Sequence, residues 1–339
     1  ARRCEIVRMQ ASAWLPGRLI GPFRYTGTRA DDPNDVVAHE DRRDLRGGRL
    51  LAAWIEHHDA REQNSMDTWI ADRKEEPDSS PGQVRHYYLD TSDCLGSEWA
   101  WDGISRRLGH SYLLDYEDVA VDFVTLGIPS RPWDRLHRTP GREIFAYFNV
   151  DEFRPDGWKN EYPNPAFSRM SERDGAWMAR ILSRFTPEMV EALAKMGDFT
   201  DPGNTAFLAN VLEGRLERLL DRYLTRLSPI SDVHVDAGGR LCAVDLAERR
   251  GVRDATAFKY VAHLANGAPL AVTRLPGAEL CVTLPHVAAD GGSNDDAVAR
   301  YLRVTVADGA ARGPLVAHLY DLGPRRGYQV VRLDRPERE

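Results

Sequence analysis

The chain has 339 residues, 29% charged and 42% hydrophobic, with a formal net charge of −7 at pH 7. That length suits two domains with separate cores, and the composition is that of a folded globular protein rather than a disordered segment. The acidic balance argues against nonspecific nucleic-acid binding, no apolar run is long enough to span a membrane, and no signal-peptide pattern opens the chain.

The sequence starts at Ala1 and runs directly into a charged, strand-like segment over 2–9, which reads as the start of a fragment or processed product. Residues 1–34 are short β-like pieces broken by Pro16-Gly17, Gly21-Pro22 and Asp32-Pro33. From 36 to 56, Leu45, Leu51 and Ile55 recur at helical spacing beside Leu50 and Trp54, and Asn34 or Asp35 is placed to cap the start. That helix delivers His57 and Asp59 into the following loop. Strands are expected at 69–71 and 84–89, joined by the polar connection 72–82.

Residues 97–165, rich in Trp, Pro and Gly, predict short helices and loops. Three capped helices follow: Ser171 to about Arg184, one opened by Thr186-Pro187, and one opened by Thr200-Asp201-Pro202 and running to about Arg226. After Pro229 the texture is β-like, with runs at 240–245, 257–263, 268–273, 279–284, 301–306, 315–320 and 327–332. A domain boundary is expected near 228–232. Cys4, Cys94, Cys242 and Cys281 lie far apart without a C-x-x-C pair, so free thiols are expected rather than zinc or a disulfide scaffold.

The residues that carry chemistry are His57, Asp59, Arg61 and Asn64, followed by Asp90 at the end of a hydrophobic run. Phosphoryl transfer needs a carboxylate at the acceptor hydroxyl, a cation for the moving phosphate, and an amide plus a second carboxylate for Mg²⁺. Asp59, Arg61, Asn64 and Asp90 supply those groups in that order. His57 is expected to be a structural hinge. Asp174 is a candidate acceptor for backbone N–H groups of the loop, with an ordinary first-turn acid as the alternative. Asp67 and Asp93 are weaker metal-ligand candidates.

His-x-Asp-x-Arg-x-x-Asn after a helix and before a hairpin resembles the catalytic loop of protein-kinase-like folds, H-R-D-x-K-x-x-N. The run around Asp90 resembles the I-D-F-G-x-x-L-G segment of atypical kinases, with Asp90-Thr91-Ser92 in place of D-F-G. Three stretches, 31–47, 54–67 and 86–97, resemble a family of large uncharacterised bacterial proteins with D-D-P-N-D, W-x-x-H-x-D and H-Y-x-x-D-F-G-S-x-L-G-S runs. Asn164-Pro165-Ala166-Phe167 and 318–324 look shared as well. The resemblance implies an ATP and Mg²⁺ site on a kinase-like lobe, with a preceding segment of the same protein supplying the small lobe. No Gly-rich phosphate loop or V-A-I-K-like lysine precedes residue 35.

The expected architecture is α+β: 1–34 a remnant of, or linker from, the small lobe, 35–228 a mainly helical kinase-like lobe, and 232–336 a β-rich domain. The expected function is phosphotransfer from Mg-ATP to an unidentified hydroxyl, on a protein or a small molecule. Two alternatives stand beside it: a non-catalytic pseudokinase-like scaffold that works through the β-rich domain, and a metal-dependent hydrolase built on His57, His58 and Asp59. Trp99, Trp101, Trp133 and Trp158 could line a carbohydrate or peptide groove or be core anchors. His39-Glu40 lacks the second histidine of H-E-x-x-H, and no G-x-S-x-G or Walker sequence occurs.

Overall fold

The computed structural model describes residues 12–73, 80–96, 98–99, 101–285, 300–309, 313–323 and 325–336. The run 2–9, Cys4, Ser97, Pro324 and most of the connection between the two expected hairpin strands lie outside these residues. The chain is mixed α+β with three antiparallel sheets.

Strand β1 (Arg18–Gly21) pairs with β2 (Ser65–Ala71), which forms a hairpin with β3 (Gly82–Tyr88). Between them α1 (Arg43–Ile55) starts later than expected, and neither Asn34 nor Asp35 caps it. Asp35 is instead held by His39 Nε2 at 2.7 Å and by Arg42, so its acid is spent on the lead-in turn. Gly47 and Gly48 are unfavourable inside a helix, but they let α1 lie close to its neighbours. A Cβ at Gly47 would sit 3.2 Å from Trp177 and 3.3 Å from Met178.

The segment expected to hold short helices contains α2 (Asp102–Ser105), a ten-residue helix α3 (Tyr116–Thr125) capped by Asp115, and α4 (Pro165–Ser168). No residue of α3 is buried. The next three helices match their sequence signals. Ser171 and Asp174 form a capping box on α5 (Glu172–Leu182), Thr186 caps α6 (Pro187–Lys195), and Asp201 caps α7 (Pro202–Leu224). The buried face of α7, with Leu208, Val211, Leu212, Leu216, Leu219 and Leu220, is the axis of the helical core.

Helix gives way to strand between Leu224 and Ile230. One sheet has the order β4 (Ile230–Val235), β5 (Arg240–Asp245), β9 (Glu279–Thr283), β8 (Val272–Leu275). The short helix α8 (Leu246–Arg249) follows β5. The second sheet runs β12 (Tyr328–Asp334), β11 (Leu315–Asp321), β10 (Tyr301–Ala307), β6 (Val261–Leu264), β7 (Pro269–Leu270). Leu241, Ala243, Leu280 and Val282 pack against Val304, Val306, Ala317 and Leu319, which makes a two-sheet core. Val244 and Leu246 join the helical core, so β5 is buried on both faces.

The cysteines depart from expectation. Cys242 and Cys281 face each other across β5 and β9 and form a disulfide, while Cys94 is free. Thirty-nine residues separate the pair in sequence, and only strand pairing makes them neighbours.

Candidate functional site

Helix α1 ends at Glu56, which adopts left-handed φ (56°), a conformation uncommon for a residue with a Cβ. It throws the chain out of the helix, and the His57 N–H closes back on the Ala52 carbonyl at 2.8 Å. The helix end is gripped from below by Arg215 of α7, itself 2% exposed. Its guanidinium donates to the carbonyls of Ala53 (2.6 Å), Trp54 (3.0 Å) and Asn149 (3.2 Å). Ala53 and Trp54 give last-turn carbonyls at the negative end of α1, where a cation is favoured, and Asn149 lies outside that helix. Burial pushes the Arg215 pKa down to about 10, against an opposing pull from Glu56.

The loop so positioned brings Asp59, Arg61 and Asn64 together. Asn64 Nδ2 donates to Asp59 Oδ2 at 2.6 Å and to the Asp59 carbonyl at 3.0 Å. Arg61 Nε lies 2.8 Å from Asp59 Oδ1 as an ion pair, and Nη2 donates to Oδ2 at 3.2 Å. The Arg61 guanidinium also sits 5.3 Å over the Tyr162 ring. With its nitrogen on a carboxylate, the Asn64 amide turns Oδ1 away; the opposite flip would press two acceptors together.

Asp90 reaches the same place from the hairpin. Ser65 pairs with Tyr88, and the Leu89 N–H donates to the Asn64 carbonyl at 2.8 Å. The chain then turns at Asp90 with φ of 50°, leaving the carboxylate exposed. The Ser92 hydroxyl and N–H both bond Oδ1, which with His57 and Arg61 nearby holds the Asp90 pKa below the usual carboxylate range.

His57 is 5% exposed, edge-on to Tyr88 with ring centroids 6.2 Å apart. Burial, then the charge of His58, lowers its pKa, while Asp59, Asp90 and Asp93 pull it upward. Native interiors pair nearly all buried polar atoms. Yet both ring nitrogens of His57 and His58 Nε2 lack a hydrogen bond, as does the nearby Tyr25 hydroxyl. Unsatisfied polar atoms gathered in one loop mark it as built for something beyond folding.

Asp174 is placed otherwise. Its carboxylate accepts from Arg46 Nε (2.7 Å) and Nη2 (3.0 Å) and from Ser171, so it ties α5 to α1 rather than receiving loop N–H groups. Asp67 is fully buried between Arg29 (2.8 Å) and His86 (2.5 Å), a strand-borne structural acid. His57, His58 and Asp59 do not converge on one ion. His58 is fully buried with Nδ1 at its own turn's Glu56 carbonyl, while His57 faces Tyr88. Among the described residues, the one group of three His, Cys, Asp or Glu with converging ligand atoms is Asp236, Cys242 and Cys281, whose two sulfurs are bonded to each other.

Two neighbours of Asp59 escaped sequence reasoning. Glu161, 5% exposed, donates its N–H to the His58 carbonyl at 2.7 Å. Burial and then the charge of Asp59 raise its pKa. Tyr25 is raised likewise, by burial first and then by Tyr88, Glu62 and Asp59. Nothing local in the sequence signals either one. Arg215 could have been noticed, as a lone charge on the apolar stripe of α7.

The chain is mixed α+β, with Asp59, Arg61 and Asn64 in contact on one loop and Asp90 on the turn that follows the strand paired beside it. No family model matches the chain, and no curated protein or solved structure is significantly similar to it.

Proposed function

We propose that the loop 57–64 and the turn at Asp90 form the Mg²⁺-nucleotide site of a kinase-like phosphotransferase lobe. One observation carries this reading: Asn64 bonds the Asp59 carboxylate through its amide and the Asp90 hairpin through its backbone. Asn64 Oδ1 and the Asp90 carboxylate are hard oxygen donors of the kind Mg²⁺ selects, and the unsatisfied atoms of the loop fit a site completed by a ligand. Mg²⁺ would supply charge neutralisation for the phosphates of ATP.

In this reading Asp59 orients the acceptor hydroxyl and takes its proton as the oxygen–phosphorus bond forms and the bridge to the leaving ADP breaks. Arg61, held against Asp59 and Tyr162, offsets charge on the moving phosphoryl group. His57 packs the loop against Tyr88 as a positioning residue. A second reading, a non-catalytic scaffold, is favoured by one detail: Ser92 holds Asp90 Oδ1 through both its hydroxyl and its N–H.

Titration calorimetry of ATP into the chain, with and without Mg²⁺, separates the two. Mg²⁺-dependent binding is expected. Asp90→Ala should weaken it by more than about 10-fold, since even outer-shell partners of bound metals matter that much. Asp59→Asn should retain binding and lose transfer. Absence of binding, or binding indifferent to Mg²⁺ and Asp90, refutes the site.

A further inference from the structure

Helix α3 stands with its polar side turned to the protein. The Asp118 carboxylate accepts from the Ser111 hydroxyl at 2.7 Å and from Arg131 Nη1 at 2.9 Å. Arg131 Nη2 donates to the Asp118 carbonyl at 2.8 Å and to the Asp122 carboxylate at 2.6 Å. Asp118, Asp122 and Thr125 recur at helical spacing, so they share the side that Arg131 holds. The opposite side carries Tyr116, Val119, Ala120, Phe123 and Val124, all exposed. Tyr116 is 76% exposed, Phe123 82%, and Leu126 just past the helix 86%. Single apolar residues are ordinary on a surface; a contiguous set, with the acids turned inward, marks an interaction site.

This face continues toward the Asp59 loop. At the start of α3 it runs into a cleft of about 620 Å³ walled by Tyr112, Leu114, Tyr116, Tyr162 and Pro163. The Leu113 N–H donates to the Glu161 carbonyl at 2.8 Å, and the Glu161 N–H to the His58 carbonyl at 2.7 Å, so the cleft is tied to the loop through backbone. Tyr162 also lies under the Arg61 guanidinium that pairs with Asp59.

We propose that α3 and the tyrosine cleft dock a polypeptide segment that is both apolar and basic, an amphipathic helix laid along α3. The length calls for a chain: the ten residues of α3 alone extend about 15 Å, and the cleft adds to them. Charge selects the partner. Segment 114–131 carries Asp115, Glu117, Asp118 and Asp122 against Arg131, and Lys159 offsets only Asp115, at 2.7 Å. A second copy would set these acids against themselves. An anionic lipid surface would meet the same repulsion, and helices that lie on such surfaces carry Lys and Arg. Docking needs no nucleotide; only the role of the docked polypeptide as phosphoryl acceptor rests on the phosphotransfer reading.

Fluorescence anisotropy of a labelled amphipathic peptide of leucine and lysine, added to the whole chain without nucleotide, tests the surface. Binding in the micromolar range is expected. Phe123→Ser should weaken it by about 10-fold or more, the burial of one phenylalanine ring. The ring is exposed in the free protein, so the thermal midpoint should hold. If it moves, Val124→Ser serves as the second variant, with a loss of about 5-fold or more. A peptide with glutamate in place of lysine should bind at least about 10-fold more weakly. No binding of the leucine–lysine peptide at roughly 100 μM, where a micromolar site is nearly filled, overturns the proposal. Equal binding to wild type and both variants, or equal binding of the acidic peptide, does the same. A dimer in sedimentation velocity, or attachment to phosphatidylglycerol vesicles, that Phe123→Ser abolishes would also overturn it, because another occupant then covers the face. Variant-sensitive peptide binding by a chain that does not bind ATP with Mg²⁺ would establish the docking surface and remove only the acceptor role.

Discussion

Replacing Arg215 by methionine tests what holds the site loop in place. The side chain is 2% exposed and donates to the carbonyls of Ala53, Trp54 and Asn149, with Glu56 at 3.8 Å and the Phe153 ring at 3.9 Å. Methionine preserves much of the volume and the contact with Phe148 and Phe153, so the loss is mainly polar. Each carbonyl left without a partner costs about 1–3 kcal/mol if no water reaches it. A cavity lined by Glu56 and Arg215 admits some water, so the full sum is not expected. Removing one partner of a buried ion pair costs about 3–5 kcal/mol, and that is the expected destabilisation. It is a large share of a typical domain stability of about 5–15 kcal/mol. Arg215→Lys should lose a smaller part, because an ammonium cannot reach three carbonyls as a fork does. Urea denaturation followed by tryptophan fluorescence gives the number. A loss below about 1 kcal/mol for Arg215→Met, within the range of ordinary surface changes, would show that the α1 terminus is held by something else.

Gly175→Ala places a Cβ 2.5 Å from the Tyr223 ring at the α5–α7 contact, so it should destabilise by about 1–3 kcal/mol despite its better helix propensity; a stabilised variant in thermal melts contradicts that packing. Asp67→Asn removes the charge shared by Arg29 and His86, and a loss of about 3–5 kcal/mol is expected in the same denaturation assay. His57 has its pKa lowered from the usual 6.5 by burial. The unfolded chain therefore binds a proton that the folded chain refuses, and the stability His57 contributes is full above pH 6.5 and declines as pH falls toward its folded value. Glu161, raised by burial, acts in the opposite sense at lower pH, so the contribution is read as the difference between wild type and His57→Gln; equal slopes between about pH 5 and 7 rule it out. For the disulfide, a 39-residue separation corresponds to roughly 4 kcal/mol of chain entropy. Dithiothreitol should lower the melting point accordingly, and alkylation of all four cysteines without reductant would disprove the bridge.

What the sequence determined by itself is local. Ser171, Thr186-Pro187 and Asp201-Pro202 announce α5, α6 and α7 because a cap needs only its own next three residues. The β-like runs after Pro229 correspond to β5, β6, β9, β10, β11 and β12, because alternation is a local pattern too. Short-range motif spacing also brought Asp59, Arg61 and Asn64 together as candidates, since five residues on one loop cannot separate far. Tertiary structure decided the rest. Only the pairing of Ser65 with Tyr88 carries Asp90 to Asn64, and only the β5–β9 register makes neighbours of Cys242 and Cys281. Asp174 became an anchor for Arg46, and Asp35 a partner of His39 and Arg42, because an acid's role is set by the cations folded against it. Glu161 beside Asp59 and Arg215 beneath α1 join residues about a hundred or more positions apart. Such contacts follow from chain topology, which no local window encodes.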